Sequence, residues 1–288
     1  MATEPSPLPS GRSQAETTRV GSYLYYRHTL PVRVMHWINV IALTVLLLSG
    51  LNIFSAHPAL YWGKSSYSGR PPIFQIMARE TDDDVIGITS MFGHEFVTTG
   101  VLGAADEDGE VVPRIFPSWL TVPGDRWLAM ARRWHFFFAW VFVINGIAYL
   151  AYSIVSRHLA CDLAPSAGDW RSVGSSIVDH LRFKHPTGEA AKRYNVLQKL
   201  AYLSVIFILL PLMILMGFAM SPTLNSLLPG WVDFFGGRQS ARTIHFIVAW
   251  LVVAFVLVHV FEVMVSGFWN HLRSMITGRY AIHPEAPK

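Results

Sequence analysis

The chain has 288 residues, 52% of them apolar and 15% charged, with a formal net charge of +4 and one cysteine. That balance is more apolar than a soluble domain usually carries, and no nucleic-acid partner is expected. The lone Cys161 excludes an internal disulfide, a cysteine-ligated iron–sulfur cluster and covalent haem attachment through a C-x-x-C-H sequence.

Residues 1–30 are polar, rich in Pro, Ser and Thr, and lack an apolar core before Pro31, so they read as a disordered tail without a cleavable signal peptide. Charge-free stretches then run from Val34 to Phe54, Trp134 to Ser156 and Leu200 to Val232, and a fourth, Thr243 to Leu272, is interrupted only by Glu262. Each exceeds the roughly 20 apolar residues that cross a hydrocarbon core. The expected fold is an all-α integral membrane protein, a four-helix transmembrane bundle with spans near 34–54, 134–156, 200–220 and 243–267. The membrane domain occupies 31–279, and 280–288 form a second tail.

With four crossings, the N-terminus, the connection 157–199 and the C-terminal tail share one side. That side carries fourteen Lys/Arg against nine on the other. The excess places both termini in the cytoplasm. The connection 55–131 is then extracytoplasmic. It holds ten acids, among them Asp82, Asp83, Asp84, Asp106, Glu107, Asp108 and Asp125, against five bases. Its Gly, Pro and aromatics, such as Tyr67 and Trp119, suggest an ordered cap, read either as a solvated loop or as a docking surface for a soluble partner.

Four of the twelve histidines, His36, His135, His245 and His259, lie in the spans. His245 and His259 are fourteen residues apart, which on a helix is about 21 Å of rise and about 40° of net rotation, so they share a face at two depths. His36 begins the first span at the inner level and His135 the second at the outer level. The pairs are therefore His36 with His259 and His135 with His245, the arrangement that two bis-histidine b-type haems need. Of the other histidines, His57, His94, His158, His180, His185 and His283 fall in connections or tails and are expected to be solvated, while His28 and His271 flank the inner helix ends within reach of a bound quinone.

Arg33, Arg132 and Arg242 each precede a histidine by three residues, and Arg133 sits beside them. Placed one turn nearer the surface, they either pair with haem propionates or act as snorkelling anchors. Gly50 follows His36 by fourteen residues, which puts it at the outer haem's level where a side chain would obstruct a macrocycle. Gly146 and Gly217 either do the same or serve close helix packing. Glu262, one turn past His259, is either a proton-exchange group for a quinone beside the inner haem or an interfacial residue facing Arg or Lys.

On Arg33-Val-Met-His36-Trp37, Arg133-Trp134-His135-Phe136 with Asn145-Gly146, and Arg242-Thr243-Ile244-His245, the chain resembles the bacterial cytochrome b561 and nickel-hydrogenase cytochrome b superfamily. Tyr194-Asn195-Val196-Leu197-Gln198-Lys199 and the stretch Phe235 to Arg242 look like its thiosulfate reductase cytochrome b subunits. The resemblance covers Tyr25 to Arg279 and puts the four histidines at the haem-ligating positions. It implies a membrane subunit that moves electrons between the quinone pool and an extracytoplasmic oxidoreductase, often a molybdopterin enzyme. Two rivals are a stand-alone oxidoreductase acting on a small molecule such as superoxide, and a transporter or receptor whose histidines bind protons or metal.

Overall fold

The computed structural model describes residues 23–66, 69–82, 84–124, 126–182 and 194–282. The expectations for the tails 1–22 and 283–288, and for Tyr67, Asp83, Asp125, His185 and His283, lie outside these residues. Four helices are long and apolar enough to cross a membrane: α1 (Leu30–Ser55), α2 (Leu128–Val155), α5 (Val196–Ala219) and α8 (Arg238–Val265). Between α2 and α5 lie the short α3 (Ala167–Arg171) and α4 (Val173–Leu181), and between α5 and α8 the short α6 (Pro222–Leu227) and α7 (Trp231–Phe234). α1 packs along α2, and α5 along α8. Large apolar side chains such as Ile41, Phe137, Ile144 and Leu257 stand exposed on the spans. A band of this kind has no aqueous explanation and matches a lipid surround.

The helices start earlier than the apolar runs because their first turns carry arginines, which reach the headgroup region while the helix continues. α5 is continuous through a wider π turn at Val205–Leu209. This lies just before Pro211, whose missing N–H releases the carbonyl one turn upstream. Its start explains one sequence motif: the Asn195 side chain accepts from Leu197 N–H while Gln198 caps Asn195 N–H, and Lys199 pairs with Asp169 of α3 at 2.9 Å. Hydrogen bonds from Ser166, then the Lys199 ammonium, hold the Asp169 carboxyl down at about 2.

The all-α expectation fails in two places. The connection between α1 and α2 is a β-module, with an antiparallel sheet of order β2 (Ala59–Leu60), β3 (Phe74–Glu80), β4 (Val85–Met91), β5 (His94–Val97) and a hairpin of β6 (Gly103–Glu107) and β7 (Glu110–Arg114). Its core joins the bundle's: Ile76, Leu60 and Phe116 pack on Leu51 and Phe54 of α1, with Phe246 of α8 against them. The second is β1 (Tyr23–Tyr26), expected in the disordered tail, which pairs antiparallel with β8 (Arg279–Ile282). Gly278 makes this closure possible. Its φ is +81°, and a Cβ there would sit 2.6 Å from the Tyr26 ring.

The apolar run from Thr243 to Leu272 divides at Gly267, where the expected span 243–267 ends. Gly267, with φ near +112°, ends α8 and starts the amphipathic α9 (Phe268–Thr277) on the face that carries β1 and β8. Asn270 of α9 brackets Ala281 of β8 with two 2.8 Å hydrogen bonds. At the opposite face the start of α8 grips the strap that leads into the module. Gly63 O accepts from the N–H groups of Gln239 and Ser240, and Thr243 donates to Tyr61 O at 2.7 Å. Gly237 is required there, since a Cβ would lie 2.6 Å from the Lys64 backbone. The Phe235 to Arg242 stretch thus caps the free N–H groups of α8 with the strap.

Candidate functional site

Two histidine pairs face each other at two depths. His135 of α2 and His245 of α8 have ring centres 6.3 Å apart, and His36 of α1 and His259 of α8 have theirs 6.4 Å apart. Among the described residues no hydrogen bond joins the rings of either pair. A metal held between two imidazoles, with bonds of about 2.0–2.1 Å and roughly 1.1 Å from ring nitrogen to ring centre on each side, requires about 6.3 Å. The separations of 6.3 and 6.4 Å match that requirement.

The surroundings orient the rings. The Ser49 hydroxyl, fully buried, donates to Val45 O at 2.6 Å and accepts from His135 Nδ1 at 3.1 Å. His245 Nδ1 donates to Met213 O at 3.0 Å. With both Nδ1 atoms protonated, each Nε2 keeps its lone pair for a metal. Neither partner was singled out in the sequence, although a serine inside a charge-free span is a visible signal. Phe255 stacks on His259 with ring centres 6.0 Å apart, and Asn145 ties α2 to the backbone beside His36 by donating to Met35 O at 2.8 Å.

The glycines divide. A Cβ on Gly50 would stand 3.4 Å from His135 Cε1, and one on Gly217 3.8 Å from His245 Cε1, whereas one on Gly146 would meet nothing within 4 Å. The arginines divide too. Arg242 donates to His57 O and, at 2.8 Å, to Ala59 O, and lies over the Phe54 ring. Arg33 donates to Ile276 O at the end of α9. Both are thus engaged with backbone carbonyls, while Arg132 lies over the Phe136 ring and, like Arg133, is exposed.

At the end of the bundle that carries α9, Glu262 pairs with His180 of α4 at 3.1 Å, not with an Arg or Lys, so His180 is a partner rather than a solvated ring. His158, likewise expected in solvent, binds Asp162 at 2.6 Å. His271 Nε2 meets the Ser266 hydroxyl at 3.0 Å. His28 sits close enough to His36, His158 and His271 to feel them, and burial first, then Arg27, pushes its imidazole down to about 4. Because the folded value lies below the ordinary 6.5, the fold accommodates the neutral ring. The stability this represents is present above pH 6.5 and is lost as the pH falls through 4, at a cost of roughly 3 kcal/mol. Thermal unfolding from pH 7.5 to 4.5 should therefore decline less steeply in His28→Gln than in the wild type; parallel curves would remove His28 from the acid response.

The family model for prokaryotic cytochrome b561 matches residues 27–278, nearly the whole described chain. The chain belongs to the prokaryotic cytochrome b561 family. Among relatives, a putative protein-methionine-sulfoxide reductase subunit YedZ1 of Azospira oryzae is 28% identical over 259 residues, covering 88% of this chain and 98% of that one. A probable Ni/Fe-hydrogenase B-type cytochrome subunit of Cupriavidus necator is 22% identical over 266 residues, covering 88% and 85%. No solved structure matches the chain. As a member of the cytochrome b561 family with four apolar helices, it is a multi-pass membrane cytochrome of the b type.

Proposed function

We propose that this cytochrome b561 protein binds two b-type haems, one between His36 and His259 and one between His135 and His245, and carries electrons between the quinone pool and a redox enzyme seated on the β-module. The observation that carries this reading is the pair of imidazole separations, 6.4 and 6.3 Å, at two depths on one helix face. Each haem, when bound, takes up and returns one electron. The chain's own work is to hold both Nε2 atoms of the outer pair toward one point, to leave room beside His135 and His245 at Gly50 and Gly217, and to exclude water with apolar spans. Arg132, exposed one turn before His135, is the guanidinium best placed for propionates, with Arg133 beside it.

The termini lie in the cytoplasm in this reading, as the Lys/Arg bias favours, and the acidic module faces outward. The quinone headgroup meets His28, His271 and Glu262, where titratable side chains near His36 and His259 are available to hold or release its protons. Two relatives are named as subunits, one putatively of a protein-methionine-sulfoxide reductase and one probably of a Ni/Fe-hydrogenase, which supports a partner enzyme. A molybdopterin-type enzyme is the class that the sequence resemblance favours. The test is haem quantification by pyridine haemochrome together with a redox titration of the purified chain. About two haems per chain and two one-electron waves are expected; a single haem or a colourless protein overturns the reading.

A further inference from the structure

The four-stranded sheet of the β-module has two unlike faces, which strand register separates: side chains alternate along a strand, and paired residues point to the same side. Phe74 pairs with Met91 and Met91 with His94, while Ile76 pairs with Thr89 and Thr89 with Phe96, so these six share one face. Arg79, Ile88, Glu95 and Val97 belong to the other. The first face is turned toward the bundle. Ile76 lies in the core with Leu51 and Phe54 of α1, and the Phe74 ring stands 6.2 Å from that of Phe54 and 5.6 Å from that of Phe246 of α8. At Gly87 the same face is covered by the backbone of Leu102 and Ala104. The second face is a surface, where Arg79 and Glu95, both about half exposed, pair at 2.8 Å.

The bundle-facing side continues past the bundle. On β4 and β5 its Met91 and Phe96 are 45% and 52% exposed, and His94 is exposed as well. The turn between these strands adds Phe92, 75% exposed. Phe92 and Gly93 both have positive φ, +52° and +84°, as a two-residue type I′ turn requires. Asparagine before glycine suits such a turn, whereas a bulky side chain is disfavoured in the left-handed region. The hairpin thus holds a large apolar group at its tip against a local backbone preference. With strands about 4.8 Å apart, β5 lies roughly 10 Å to the side of β3, beyond the residues that touch α1 and α8.

The depth of this edge follows from α8. Its 28 residues measure about 42 Å against a hydrocarbon core of about 30 Å, which leaves about 6 Å at each end among the headgroups. Phe246 stands about 12 Å along the helix from Arg238, inside the hydrocarbon boundary. The row Phe74, Met91, His94 begins against Phe246 and runs outward, so it leaves the bundle where acyl chains meet headgroups. Large apolar side chains exposed at that level continue the lipid-facing band of the spans. We propose that the β4–β5 hairpin is a membrane anchor. Phe92, Met91 and Phe96 enter the leaflet on the module's side, His94 lies among its phosphates and water, and the Arg79–Glu95 face looks away from the bilayer. The core around Ile76 and the anchored tip then hold the sheet at two separate points, which fixes its tilt over the bundle. This does not depend on the electron partner or on the number of haems.

The experiment uses the full-length, haem-loaded protein in phosphatidylcholine nanodiscs. Cys161→Ala removes the exposed native thiol, and a nitroxide is attached at Phe92→Cys, at Phe96→Cys or at Val97→Cys, the last being 73% exposed on the opposite face of the same strand. Relaxation of the nitroxide by oxygen, which concentrates among acyl chains, is compared with relaxation by a water-soluble nickel chelate. The ratio of oxygen to nickel accessibility is expected to be at least fivefold higher at positions 92 and 96 than at 97. Equal ratios at the three positions put the hairpin in water, and protection of 92 and 96 from both reagents puts a protein surface on it; either result overturns the proposal. The unaltered chain gives a second reading that no substitution can disturb. Phosphatidylcholine with a diazirine high on its acyl chain should, on photolysis, label residues 91–96 as well as the exposed faces of the spans, and adducts on the spans with none on 91–96 also overturn it.

Discussion

Alanine in place of His135 or His245 is expected, if each histidine pair holds a haem as proposed, to halve the haem content, from about two per chain to about one, and alanine at His36 or His259 to halve it by removing the other haem. The expectation follows from separation along α8: fourteen residues between His245 and His259 place the two sites about 21 Å apart in depth. Loss of one ligand therefore leaves the other pair untouched. The two losses should differ in kind. His135 and His245 have their Nδ1 atoms bound by Ser49 and Met213, so in the proposed arrangement the surviving partner remains oriented but cannot hold the iron alone. Ser49→Ala should keep the haem and shift its potential, because it leaves His135 in place and alters the basicity and orientation of its ring. Low-temperature difference spectra of the four alanine variants decide the matter. If His36→Ala and His245→Ala deplete the same haem, the pairing drawn from the helix geometry is wrong.

The spans and the histidine pairs were legible in the sequence because both are governed by one-dimensional rules. A membrane helix needs an unbroken apolar run, and a fourteen-residue interval returns a side chain to nearly the same helix face. The β-module was not legible. Phe74, Ile76 and Ala78 do alternate, but their strand is seven residues long and the next begins just past the acids around Asp82. Such a segment carries a weak signal beside apolar runs three times its length. β1 and β8 come from opposite ends of the chain, and their pairing has no local signature at all. The register of Arg33, Arg132 and Arg242 was visible, yet its use was not, since the carbonyls that Arg33 and Arg242 bind belong to α9 and to the strap before β2. Glu262 shows the same limit: its charge demanded a partner, and only the placement of α4 supplies His180.

The module's acids lead to a second large effect. Asp82 stands at the turn between β3 and β4, and Asp108 and Glu110 at the turn between β6 and β7, all exposed. The whole connection carries ten acids and five bases, so its field is negative and suits a partner with a basic docking face. Replacing Asp82, Asp108 and Glu110 together by lysine changes that field by six charges. Glu107 is best left alone, since it holds Arg114. If the partner enzyme docks on the module, its association with the reduced cytochrome should slow at least tenfold at low ionic strength, because rim charges act mainly on the rate of encounter. The defect should shrink toward 1 M salt, where the screening length falls from about 10 Å at 0.1 M to about 3 Å. Haem content and reduction of the cytochrome by a quinol should stay at wild-type values, since the quinol acts on the opposite face of the membrane in the proposed arrangement. Stopped-flow oxidation by the purified partner at two salt concentrations, with quinol reduction measured alongside, separates the outcomes. A partner rate that is unchanged at both concentrations would place docking away from the module's hairpin turns; loss of both rates would show that the substitutions disturb the bundle, whose core the module shares through Ile76, Phe116 and Phe54.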